Sequence, residues 1–96
     1  PFAVRGDDLV ALAATEQRVR RALAMRAELG EPATPADVEL HVDPDVAAFQ
    51  LAAIAPLGPL DQQRVLGEEA PGRFIALLDA LVAEAEEALE ARLRGR

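Results

Sequence analysis

"PGRFIALLDALVAEAEEALEARL", Pro71 to Leu93, decides the fold class. Phe74, Leu77, Leu78, Leu81, Val82, Ala85, Leu89 and Leu93 recur at three- and four-residue spacing, which puts them on one stripe of a long α-helix. Glu84, Glu86, Glu87 and Glu90 lie mainly off that stripe, on the face expected to meet water. Glu90 precedes Arg94 by four residues, the favourable order for a helix pair. Arg92, Arg94 and Arg96 crowd the end, where positive charge suits the helix dipole. Pro71 fits the first turn, where its missing N–H is not needed.

Upstream stands "PLGPLDQQRVLGEEA", Pro56 to Ala70. Its prolines and glycines are the punctuation of short connections between packed helices. "PLGPL" reads as a turn, Asp61 as the cap of a short helix over Gln62–Leu66, and Gly67 as its stop. Before it, Asp43-Pro44 opens another helix, with Asp as N-cap and Pro in the first turn. Val46, Phe49, Ala53 and Ile54 mark its expected buried stripe. It ends near Ala55, because Pro56 disfavours a helical residue before it. The first helix is expected from about Asp8 to Leu29. Gly6-Asp7-Asp8 offers a turn and a capping carboxylate, and Leu9, Leu12, Val19, Leu23 and Leu29 repeat at near-helical spacing. Gly30 suits a left-handed stop and Pro32 prevents resumption. Two long helices flanking two shorter ones make an all-α, compact helical bundle in a single domain over residues 1–96.

"EPATPADVELHVDPD", Glu31 to Asp45, is open to two readings. Thr34-Pro35 can start a short helix through Leu40, or "VELHV" can be extended. On a strand Asp37, Glu39, His41, Asp43 and Asp45 would share a face, which raises a metal site. An EF-hand loop begun at Asp37 requires Gly sixth and Glu twelfth, and Val42 and Ala48 stand there. With one His in the chain, an exposed linker is the better reading and no metal is expected.

Composition narrows the function. The chain has no Cys, Ser, Asn, Lys, Trp or Tyr. The disulfide framework, the thiolate zinc site, the serine or cysteine nucleophile, the Schiff-base lysine and the Walker lysine are therefore excluded. His41 has no hydroxyl or thiol beside it in sequence, and no carboxylate pair is forced into an apolar setting, so acid–base chemistry has no candidate. These absences point to a non-enzyme without cofactor. All ten basic residues are Arg, a bias that GC-rich coding explains as readily as function does. The net charge of −7 opposes nucleic-acid binding. Arg18, Arg20, Arg21 and Arg26 read instead as a solvated helix face that meets acidic surface elsewhere. Arg5-Gly6-Asp7 spells an integrin-type motif, but a turn before a helix explains it. No apolar run reaches the roughly 18 residues of a membrane span, and no leader is visible. A soluble, cytoplasmic chain is expected, monomeric or weakly homodimeric.

The order of elements also resembles a known family. An Ala-Leu pair in the first helix (Ala11-Leu12) is followed by Asp43-Pro44 with Val46-Ala47 and Ile54-Ala55. Next come Leu60, Gln63, Val65 and Leu66, and then Arg73-Phe74, Leu77-Leu78, Leu81 and Glu84. This is similar to the C-terminal helical part of the LON substrate-binding domain, found at the N-terminus of Lon proteases and in stand-alone LON-domain proteins. The resemblance covers about Leu9 to Leu89. It departs from the family where Val65-Leu66-Gly67 replaces the usual Leu-Leu-Glu. It implies that the chain is a fragment lacking an upstream β-rich half, with any ATPase or peptidase parts elsewhere. It also implies that Gln63 and Arg73 tie the turn between the short and last helices, while Leu66 and Phe74 close the core beneath it. If the stretch is architectural in this way, Gln62 and Glu68 are expected at the surface. The function implied is a non-catalytic protein-interaction module that helps recognise unfolded polypeptides. The alternative is a self-associating structural bundle with no client.

Overall fold

The computed structural model describes all 96 residues as four helices and no strand. They are α1 (Asp7–Glu28), α2 (Pro44–Ile54), α3 (Pro59–Leu66) and α4 (Pro71–Arg94). The architecture is an all-α bundle in which the first and last helices are long and the two between them in sequence are short.

α1 starts at Gly6, whose φ of 60° is open to glycine without steric cost. No side chain caps this end. Asp7 and Asp8 act through charge in the first turn, and the expected capping hydrogen bond is not made. The other end is a Schellman stop. Gly30, at φ 77°, donates its N–H to Ala27 O, and Glu31 donates to Arg26 O, each at 3.0 Å. Between these ends α1 buries Leu12, Thr15, Val19, Ala22 and Leu23. Leu9, expected in the stripe, is 44% exposed.

α4 packs along α1, and the two run parallel. The Asp8 carboxylate lies beside Gly72, Thr15 bonds Asp79, Arg21 meets Glu86, and Glu31 meets Arg92. Both chains of partners rise together along the helices. The intervening segment must therefore return the length of α1, about 33 Å for 22 residues at 1.5 Å each. Residues 31–43 do this as neither helix nor strand, with one turn closed by Val38 N–H to Pro35 O. Arg20 straps the segment to α1 by donating to Ala36 O at 2.8 Å and Val38 O at 2.7 Å. Ala36 and Leu40 face the core, while Asp37, Glu39 and His41 point to water.

α2 is capped as its sequence suggests: the Asp43 side chain accepts from Asp45 N–H at 2.9 Å, and Pro44 takes the first turn. Its buried face is a different one from the face expected. Ala47, Ala48, Leu51 and Ala52 are buried, whereas Val46 and Phe49 are partly exposed and Ala53 is exposed. α2 is apolar nearly all round, so spacing alone does not choose its face. Small alanines allow the close approach that larger side chains would block. The residues before α1 also join the core. Val4 is buried and donates its N–H to Asp45 Oδ1 at 2.6 Å. Phe2 meets Phe49 and Phe74 with ring centroids 4.8 and 5.2 Å away, and Phe49 and Phe74 are 5.1 Å apart. The chain's three phenylalanines thus form one cluster joining the N-terminal segment, α2 and α4.

α3 starts at Pro59 with Gly58 as N-cap, so Asp61 lies inside the helix and does not cap it. Asp61 pairs with Arg64 instead, at 3.0 Å. Gly67 ends the helix in a right-handed conformation. At the far end of the molecule Glu90 and Arg94 make no pair. Arg92 reaches across to Glu31, and Arg96 donates to the carbonyl of Glu28 at the C-terminal end of α1.

Candidate interaction surface

The residues singled out around the α3–α4 turn separate in space. Phe74 is fully buried within the aromatic cluster. Leu66 is 45% exposed, and Val65 takes the core position of α3. Gln63 and Arg73 are exposed, and neither side chain makes a hydrogen bond or ion pair. Gln62 makes the tie instead: its amide donates to Ala52 O at 3.1 Å and Ala53 O at 3.2 Å, satisfying carbonyls left open at the end of α2. This bond turns the face of Gln62 and Val65 inward. Leu60, Gln63 and Leu66 are thereby rotated toward water, one residue out of phase with the expectation.

Of the run from Asp37 to Asp45, His41, Asp43 and Asp45 are spent on local order. His41 N–H donates to Gln50 Oε1 at 2.7 Å, and His41 Nδ1 accepts from Asp43 N–H at 3.0 Å. Asp43 caps α2 and Asp45 holds Val4. No three His or carboxylate side chains converge to hold an ion.

The arginines of α1 lock the parallel helix pair. Arg18 donates Nε to Asp79 Oδ1 at 3.2 Å and Nη1 to Glu86 Oε1 at 2.8 Å. Arg21 donates to the other Glu86 oxygen at 3.1 Å, and Thr15 donates its hydroxyl to Asp79. Glu86 is only 8% exposed. It was expected on the solvent face, but it extends the stripe of Leu78 and Val82 because the two arginines neutralise it there. Farther along, the Arg92 guanidinium beside Glu31 holds its carboxyl below the usual carboxylate range, with Arg26 adding to the effect. Arg92 is raised in turn by Glu31. The sequence signal for this network was the co-occurrence of Arg18 and Arg21, three apart on one helix, with Asp79 and Glu86 seven apart on another.

The largest concavity is a cleft of about 820 Å³ between α1 and residues 36–44. Leu12 and Ala47 form its apolar floor. Leu9 stands partly exposed along it, and Val42, 95% exposed, stands on the opposite rim. Arg20 and Glu16 lie on the α1 wall, paired with each other at 2.9 Å. Asp37 and Glu39 border the other wall, exposed and unpaired. Such a surface can bind by burying apolar groups.

No helix is long and apolar enough to cross a membrane. No family model, curated protein or solved structure matches the chain.

Proposed function

We propose that this chain is a non-catalytic protein-interaction module. The observation that carries the reading is the open cleft beside α1, with its apolar floor and its exposed Leu9 and Val42. Isolated exposed apolar residues are ordinary, but a concave apolar surface bordered by polar groups suits a polypeptide partner. The narrower role, recognition of unfolded polypeptides in the manner of a LON-type domain, is supported by the motif order from Ala11-Leu12 to Glu84.

Retention of a reduced, denatured model protein, compared with its native form, tests the reading. The denatured form is expected to be held preferentially. The Leu9→Gln/Val42→Gln double variant, which removes the apolar contacts without adding charge, is expected to weaken retention while leaving helical content intact, since both side chains are already partly in water. Equal retention of native and denatured protein, or no effect of the double variant, would refute it.

A further inference from the structure

We infer that the cleft between α1 and residues 36–44 receives a cationic amphipathic segment of a partner polypeptide. The inference rests on the reading of the chain as a protein-interaction module and names the partner's chemistry. Apolar side chains of the segment would lie on the floor made by Leu12 and Ala47, and its Lys or Arg groups would face Asp37 and Glu39.

Charge decides the sign. Arg20 is the only arginine lining the cleft, beside a single histidine, His41, and three carboxylates, Glu16, Asp37 and Glu39. Its guanidinium is occupied by the Glu16 carboxylate and the carbonyls of Ala36 and Val38. Asp37 and Glu39 have no cationic partner anywhere in the chain, so the unbalanced charge at the rim is negative. An anionic segment would be repelled, and a purely apolar one would leave both carboxylates uncompensated at the edge of an interface. A second copy of this chain is a poorer occupant, because it carries the same net charge of −7. The wall from Leu9 to Arg20 is about 17 Å long at 1.5 Å per residue, room for about three turns of a docked helix.

The test uses the whole chain and a fluorescent Leu/Lys peptide of roughly four helical turns with its leucines on one stripe. Two control peptides accompany it: one of the same composition with scattered leucines, and one with Glu in place of Lys. Asp37→Asn/Glu39→Gln is compared with Glu84→Gln/Glu87→Gln, an exposed pair on α4 whose removal changes net charge equally. The striped cationic peptide is expected to bind, less tightly as salt rises. The rim pair is expected to weaken it about three- to tenfold, as loss of two exposed charge contacts should, and the α4 pair less than about twofold. Val42→Lys is expected to weaken it as well, by repulsion at a site already in water. Equal losses from the two charge pairs, equal binding of the scattered peptide, or no binding overturns the inference. So does a dimer, seen by sedimentation, that the rim pair dissociates. Failure here with retention of denatured protein intact removes the cationic partner and leaves the interaction module standing; failure of both removes both.

Discussion

Replacing Phe74 by Ala removes the centre of the aromatic cluster. The side chain has no exposed surface and lies 5.2 and 5.1 Å, centroid to centroid, from Phe2 and Phe49. Truncating a buried Phe to Ala costs about 3–5 kcal/mol. A domain of 96 residues is stable by only about 5–14 kcal/mol, so the loss is a large share. Its unfolding entropy is about 0.2 kcal/mol/K, and Tm should fall by about 15–25 °C. Phe74→Leu keeps most of the apolar burial but loses the two edge-to-face contacts, for a cost of about 1–3 kcal/mol. Leu66→Ala, at a position 45% exposed, should cost less than about 1 kcal/mol. Urea and thermal melts followed by far-UV circular dichroism give all three. Phe74→Leu keeps the comparison measurable if Phe74→Ala does not fold. A Phe74→Leu melt no lower than that of Leu66→Ala would refute the role assigned to the cluster.

Three further outcomes follow from the polar contacts. Glu86→Ala should cost about 1–2 kcal/mol, below the 3–5 of a fully buried pair, because Arg18 and Arg21 can turn to water. A double-mutant cycle with Arg18→Ala should return a coupling near 1 kcal/mol. Glu31, with its pKa lowered on folding, contributes stability that is present above the ordinary carboxylate pKa and is lost as pH falls through the lowered value. An NMR titration of its carboxyl should show that lowered midpoint, and Arg92→Ala should move it up. Gln62→Ala should cost about 0.5–1.5 kcal/mol through its lost hydrogen bonds, while Gln63→Ala should leave the urea midpoint nearly unchanged.

Legibility in the sequence followed the source of each signal. α4 could be read closely because a single wide stripe runs through it, and α1 because Gly30 and the Leu/Val spacing bound it. Punctuation by Pro and Gly located α2 and α3 in the chain. Their inward faces could not be read the same way. In α2 alanines and larger apolar residues surround the helix, and in α3 the choice between Val65 and Leu66 is made by Gln62 bonding to α2, a contact between elements. The same limit hid Glu86. A glutamate reads as exposed unless the arginines that neutralise it, more than sixty residues away, are known to be its neighbours. The cleft was illegible because its two walls come from segments whose separation is set by the path of residues 31–43.

That path follows from the direction of the two long helices. Parallel packing puts like ends of two helix dipoles side by side, which is unfavourable unless charges compensate them. Here each end carries the compensation across the pair. Asp8 of α1 lies against the first turn of α4, which has no acidic residue of its own. Arg96 beyond α4 takes the Glu28 carbonyl at the end of α1, and Arg92 meets Glu31 just past it. An antiparallel pair could be joined by a short loop, whereas the parallel pair needs a connection as long as the helix itself. Residues 31–43 supply it as non-helical chain, and such a chain presents fewer inward side chains per ångström than a helix does. Only Ala36 and Leu40 of this segment pack against the core, and they do not fill the space along α1. The cleft is thus a consequence of the topology, with the exposed Asp37 and Glu39 on its rim.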